Sequence, residues 1–134
     1  MAARVFLDSN ILIYAVGDDE SRRAVAESLI AQRPVVSAQV LAETAAVLRR
    51  KFMLEHPAIE KILTAILARV SCEPLGAGTV LSALRLGERL GYSHYDSQII
   101  AAALEAGCSV LYSEDMQHGQ LIDDTLTILN PFIS

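Results

Sequence analysis

The stretch Val5-Phe6-Leu7-Asp8-Ser9-Asn10-Ile11-Leu12-Ile13-Tyr14 runs three apolar residues into a carboxylate and then resumes an apolar pattern. Three consecutive apolar side chains read as a buried strand, ending where Asp8 interrupts them. Ser9 to Val16 then reads as a short helix, broken at Gly17-Asp18-Asp19. A buried strand that passes directly into a helix is the opening of an α/β fold.

The rest of the chain repeats this alternation. A charged helix is expected from about Glu20 to Ala31, followed by a short strand at Pro34-Val35-Val36. Ser37 is a good N-cap for a helix running to about Phe52. Pro57 sits where a helix should begin, and Ile59 to Val70 continues with apolar spacing. Gly76 and Gly78 punctuate before a helix from about Val80 to Leu90, closed by Gly91. Ser93-His94-Tyr95-Asp96 has capping-box spacing and opens a helix ending near Ala106-Gly107. Ser109-Val110-Leu111-Tyr112 reads as another strand, and Leu126-Thr127-Ile128-Leu129 as the last. Short apolar strands alternating with helices predict a parallel sheet flanked by helices.

Composition agrees. The 134 residues suit one domain, 1–134, with one core, and 52% of them are apolar. Only 5% are aromatic and none is Trp, so Leu, Ile, Val and Ala must build that core. Cys72 and Cys108 stand far apart without a CxxC or paired His, which excludes a zinc site. They read as buried, reduced thiols of a cytoplasmic protein. No stretch is long and apolar enough to span a membrane, and Asp8 precedes any signal-like apolar region. The net charge of −5 is unevenly spread: all eleven Lys and Arg lie between Arg4 and Arg89, including Arg49-Arg50-Lys51. From Leu90 onward there are six acids and no Lys or Arg, which fits an acidic pocket beside a separate basic face.

Topology brings four acids together. Ligands of open parallel sheets collect at the carboxyl ends of the strands. Asp8 directly follows a strand, and Asp115 follows the 110–112 strand after two residues. A helix leading into a parallel strand runs antiparallel to it, so Asp96, in the first turn of such a helix, lies at the same edge. Glu43 is in the second turn of the helix leaving the Val35-Val36 strand, again near that edge. Val40, Glu43 and Val47 share a helical face, and no Lys or Arg stands at i±3 or i±4 to neutralise the carboxylate. Each acid alone also has a structural reading: Asp8 or Asp96 as a helix cap, Asp115 in a turn, Glu43 paired to a distant Arg. Their conjunction points to a cation. Hard carboxylate ligands favour Mg²⁺ or Mn²⁺, which can activate water against a phosphodiester.

Four segments carry a resemblance. Phe6-Leu7-Asp8-Ser9-Asn10-Ile11-Leu12-Ile13-Tyr14, Ser37-Ala38-Gln39-Val40-Leu41-Ala42-Glu43, Tyr95-Asp96-Ser97-Gln98-Ile99-Ile100-Ala101-Ala102-Ala103 and Leu111-Tyr112-Ser113-Glu114-Asp115-Met116-Gln117-His118-Gly119 are, in order and spacing, similar to the four acidic segments of PIN domains. The fourth resembles that of VapC-like toxins. The resemblance implies a five-stranded parallel sheet and an Mg²⁺- or Mn²⁺-dependent endoribonuclease. It also implies an RNA substrate, a homodimer and an antitoxin that inserts into the site. By position, Asp8, Asp96 and Asp115 match metal ligands, Glu43 the acid that completes the site, and Ser113 a supporting hydroxyl. Asn10 would help orient Asp8, and Glu114 adds a further acid whose part stays open.

Three other readings are weighed against it. Nothing brings His94 and His118 together as a general acid–base pair; a helix N-terminus and a loop are their expected places. Asp8-Ser9-Asn10 also resembles a haloacid-dehalogenase phosphatase motif, but the second Asp of that motif is Asn10 here. The non-enzymatic alternative is a PIN-like module that binds RNA or protein without cutting.

Overall fold

The computed structural model describes residues 3–133. Strand β1 (Val5–Leu7) leads into α1 (Ser9–Ala15) and α2 (Glu20–Ile30). Strand β2 (Val35–Ser37) is followed by α3 (Ala38–Arg50) and α4 (His56–Leu67), then β3 (Ser71–Glu73). Helices α5 (Ala77–Leu90) and α6 (His94–Glu105) precede β4 (Val110–Tyr112), β5 (Leu121–Ile122) and β6 (Leu126–Leu129). The sheet order is β3-β2-β1-β4-β6-β5. Five of these strands are mutually parallel, as expected, and β5 adds an antiparallel border strand beside β6.

This order positions a site. From β1 the chain proceeds to β2 on one side, yet β4 lies on the other, with Leu7 beside Tyr112. The carboxyl ends of β1 and β4 therefore flank the point where strand order reverses, the usual crevice for ligands in such sheets. All three side chains of β1 are buried, as are Ile11 and Leu12 on α1, Leu111 on β4 and Ile128 on β6. Fully burying a Leu, Ile or Phe is worth roughly 1.5–3 kcal/mol each, so the central strands hold the carboxyl edge firmly.

Several boundaries depart from expectation. Helix α4 stops at Leu67, and Ser71–Glu73 pairs with β2 as an edge strand whose side chains are largely exposed. Its lack of an apolar run hides it from periodicity. Cys72 on that edge is exposed, correcting the expectation of two buried thiols; Cys108 is buried, and both are free. Helix α5 begins at Ala77 rather than Val80, with Gly76 as an N-cap that has no side-chain bond. Gly91 closes it in the left-handed region, φ 81°. Between β5 and β6, Asp123 (φ 51°) and Asp124 (φ 56°) both adopt left-handed backbone, the conformation a tight hairpin demands.

Helix α5 packs on α6 through a close approach at Gly87. A Cβ there would lie 3.1 Å from Ser97 Oγ, so only glycine fits comfortably beside the serine. Ser97 Oγ is itself fully buried and has no hydrogen-bond partner among the described residues. Leaving a buried hydroxyl unsatisfied costs about 1–3 kcal/mol. Ser97→Ala should therefore raise stability by about 1 kcal/mol in urea denaturation. Gly87→Ala added to it should gain roughly 0.5–1 kcal/mol more from helix propensity. A Ser97→Ala variant less stable than wild type would show that the hydroxyl bonds an α6 carbonyl instead.

Candidate active site

Asp8 is where the apolar strand meets the reversal point, and it is only 3% exposed. Its backbone N–H donates to the Tyr112 carbonyl at 3.0 Å, keeping β1 and β4 paired up to the acid. Oδ1 accepts the Ser9 N–H at 2.7 Å, so Asp8 does cap α1. Oδ2 accepts the Ser113 hydroxyl at 2.7 Å and the Asn10 amide at 3.5 Å. Burial pushes the Asp8 carboxyl from 3.8 up to about 6. The Ser113 and Ser9 bonds hold it down in part, while the charges of Glu43 and Asp96 add to the rise.

Asp115 is reached from the same two polar residues. Ser113 Oγ accepts the Asp115 N–H at 3.2 Å, and Asn10 Nδ2 donates to Asp115 Oδ2 at 3.1 Å. Asn10 Oδ1 in turn accepts the Glu114 N–H at 3.3 Å. Asn10 and Ser113 thus strap the loop after β4 to the end of β1. Asp115 itself is exposed.

Asp96 is half-buried in the first turn of α6, its N–H donated to Ser93 Oγ at 3.2 Å. Burial raises its carboxyl above the usual range, and the charge of Asp115 adds to that, offset by Ser93. Glu43 is half-buried on α3, at the margin of a buried stripe of Val40, Thr44 and Leu48. Its Oε2 accepts the Gln39 Nε2–H at 3.1 Å. Gln39, at i−4, is the partner that a search restricted to Lys and Arg overlooks.

Mutual electrostatics connect these acids: Glu43 and Asp96 both act on Asp8, and Asp115 acts on Asp96. Among the described residues none of the four forms an ion pair; the six pairs present all involve other acids. No three His, Cys, Asp or Glu among those residues enclose a common point as a ready-made metal cage. Mg²⁺ takes one or two direct carboxylates and keeps waters for its remaining positions. The unpaired carboxylates fit such a cation.

Glu114 belongs to a different construction. It accepts the Tyr14 hydroxyl at 2.7 Å and forms an ion pair with Arg22. The Arg22 guanidinium also lies 4.9 Å from the Tyr14 ring centre and 5.0 Å from that of Phe132. A cleft of about 470 Å³ runs past this clamp, lined by Ser9, Asn10, Tyr14, Lys51, Phe52 and Asp115. A larger depression of about 640 Å³, around Arg4, Glu73, Thr79 and Glu105, contains none of the four acids. His94 Nε2 faces Gln98 Oε1 at 2.7 Å, and His118 Nδ1 accepts the Asn130 N–H at 2.9 Å; each has its own separate partner.

The family model described as PIN domain matches residues 5–121. No curated protein matches the chain. Among solved structures, VapC20 of Mycobacterium tuberculosis, described as a sarcin-ricin loop cleaving toxin, is similar at 24% identity, covering 83% of this chain and 89% of its own, with a TM-score of 0.67. A toxin–antitoxin complex from Klebsiella pneumoniae is similar at 14% identity, covering 96% of this chain and 98% of that one, TM-score 0.72. VapBC2 of Rickettsia felis, solved with a promoter DNA fragment, gives 21% identity, 94% and 98% coverage, and a TM-score of 0.66. At these identities the likeness establishes the fold.

The raised Asp8 carboxyl has a consequence for stability. Moving from 3.8 to about 6 corresponds to roughly 3 kcal/mol. Between those values the folded chain keeps a proton that the unfolded chain has released. The associated stability is full below 3.8 and is lost as pH rises through about 6. In EDTA, the stability difference between wild type and Asp8→Asn should swing by up to about 3 kcal/mol in favour of the variant from about pH 4 to pH 7. Denaturation curves across that range test it. A difference that stays flat would mean that Asp8 is an ordinary solvated helix cap.

Proposed function

The chain belongs to the PIN domain family, and on that footing we propose that it is an Mg²⁺- or Mn²⁺-dependent endoribonuclease acting as the toxin of a toxin–antitoxin pair. The observation that carries this reading is Asp8, buried at the reversal point of the sheet, acted on by Glu43 and Asp96, with no cation paired to any of them among the described residues. A pure binding module gains nothing from such unpaired charge. An acidic pocket also repels a polyanion, so a cation serves binding as well as chemistry.

In this reading Asp8, Asp96 and Asp115 hold the ion, with Asn10 and Ser113 fixing the first and last of them. The bound ion supplies Lewis acidity and charge neutralisation at the scissile phosphate. Glu43, its Oε2 engaged by Gln39, offers Oε1 to orient the attacking water and accept its proton. Attack in line on phosphorus breaks the bond to the 3′ oxygen, which takes a proton from solvent as it leaves, giving a 5′-phosphate and a 3′-hydroxyl. Lys51 and the neighbouring Arg49 and Arg50 supply positive charge at the C-terminal end of α3, beside the cleft. The toxin–antitoxin complexes among the similar structures support an antitoxin partner; inhibition by that partner, a homodimer and a cytoplasmic setting belong to the same proposal and rest on the PIN-domain likeness. Among the described residues no helix is long and apolar enough to cross a membrane. The alternative, an RNA- or protein-binding module that does not cut, keeps the fold and loses the catalysis.

Purified protein should cleave RNA with Mg²⁺ or Mn²⁺ and lose that activity in EDTA. Asp8→Asn and Asp96→Asn should each lower cleavage by at least about 100-fold, as expected when a metal ligand is removed. Full activity in EDTA would remove the metal from the mechanism. The ends of the fragments report the nucleophile independently. Mass spectrometry should find 5′-phosphate and 3′-hydroxyl termini, whereas 2′,3′-cyclic phosphate would assign the attack to the RNA's own hydroxyl. Expression without a partner should arrest growth, and Asp8→Asn should relieve the arrest at matched soluble protein; equal growth of both would argue against a toxin.

A further inference from the structure

Two glutamines that the nuclease chemistry does not itself require are buried between α3 and α6. Gln39 is 8% and Gln98 5% exposed. Gln39 Nε2 donates to the Tyr95 carbonyl at 3.0 Å and to Glu43 Oε2 at 3.1 Å. A backbone carbonyl can only accept, so the nitrogen of Gln39 must face it and Gln39 Oε1 is left as an acceptor. Gln98 Nε2 donates to that oxygen at 2.9 Å. Gln98 Oε1 is then the acceptor facing His94 Nε2 at 2.7 Å, so the proton must be on His94 Nε2. One backbone carbonyl sets the direction of every bond in the chain.

The geometry points to His94, Gln98 and Gln39 as a positioning relay, anchored on the imidazole N–H, that holds the Glu43 carboxylate in place beside Asp8. The relay rests on the reading of Glu43 as the acid that orients water. Glu43 lies at the margin of its helix stripe, with Gln39 as its hydrogen-bond donor. Gln39 cannot swing to another partner without abandoning Gln98 and Tyr95 together. His94 sits one turn before Gln98 on α6, its ring edge-on to Tyr95 at 5.7 Å between centres. The helix that carries Asp96 is thereby tied to the helix that carries Glu43, and the two acids keep a common frame. His94 touches no reacting atom in this arrangement; it acts through the two amides.

Two measurements on the full chain test the relay. In metal-free, ¹⁵N-labelled protein at alkaline pH, where an imidazole is neutral, long-range ¹H–¹⁵N correlations should report His94 as the Nε2–H tautomer. His94→Phe should also shift the Gln39 side-chain amide resonances, although no hydrogen bond joins the two side chains directly. A His94 Nδ1–H tautomer, or Gln39 resonances that do not move, overturns the relay whether or not the chain cleaves RNA. In Mn²⁺-supported RNA cleavage, His94→Phe and Gln98→Met should each lower kcat by about 10-fold or more. KM should stay within about twofold, because no substrate contact is lost. His94→Gln, which restores an N–H donor, should recover most of the loss, with melting temperatures of all variants near wild type. Wild-type kcat in His94→Phe and Gln98→Met overturns the relay. A wild type without nuclease activity instead overturns the reading of Glu43, and the resonances then decide the relay alone.

Discussion

A carboxylate 3% exposed at the end of a strand must have its oxygens hydrogen-bonded, and the partners of Asp8 are brought to it by this arrangement of the sheet. Its Oδ2 needs the hydroxyl of Ser113, which reaches it because β4 lies directly against β1 with Leu7 beside Tyr112. Its Oδ1 needs the first N–H of α1, so the helix must begin immediately after the acid. Strand order, strand register and the abrupt β1–α1 junction are therefore all coupled to one side chain. Even so, the bonds leave Asp8 with its carboxyl raised to about 6, because burial outweighs them and two neighbouring acids add to the rise. The fold tolerates this conflict at its most central position, the kind of local inconsistency that marks a candidate site.

The elements that surround Asp8 were legible in the sequence because their physics is local. Val5-Phe6-Leu7 is apolar without interruption, Ser37 and Ser93 accept N–H groups in their own first turns, and Gly91 takes the left-handed backbone. The convergence of Asp8, Asp96 and Asp115 followed from the rule that parallel strands share a carboxyl edge. Edge strand β3 was not legible, since Ser71-Cys72-Glu73 has neither alternation nor an apolar run, and its pairing comes wholly from β2. The burial of Cys72 was misjudged for the same reason. Gln39 and Gln98 were invisible in another way: each looks like a solvated helix residue, and their bond spans 59 positions. The exposed Asp115 and half-buried Glu43 show that topology places a residue at an edge without fixing how deeply it sits.

Glu114 and Asp115 are adjacent in sequence and opposite in fate. Glu114 is neutralised by Arg22 and accepts the Tyr14 hydroxyl, within an aromatic and cationic cluster that also takes in Phe132. Among the described residues the Asp115 carboxylate accepts only from the neutral Asn10 amide, while its backbone N–H donates to Ser113 Oγ. Neutral donors orient a carboxylate while leaving its charge to be met by something else. Arg22 therefore has a selective effect, removing one acid from the local charge balance and leaving its neighbour in it. Pairing of Glu114 was beyond reach from sequence, because Arg22 and Glu114 are 92 positions apart.

The hairpin that closes the sheet bears on how this chain behaves in a crowded solution. An open strand border is a row of unmet N–H and C=O groups on which another chain can template. Here β5 offers only two residues, and its turn carries Asp123 and Asp124 in left-handed backbone. Asp123 is occupied by Arg89 at 2.8 Å, while Asp124 projects from the exposed tip. A second copy aligning along this border would find few rungs to add and a like charge at the corner. The opposite border, β3, is one residue longer and bears no such turn. Fibrillar or strand-exchanged association, if this sheet were driven to it, would therefore begin from the Ser71–Glu73 side.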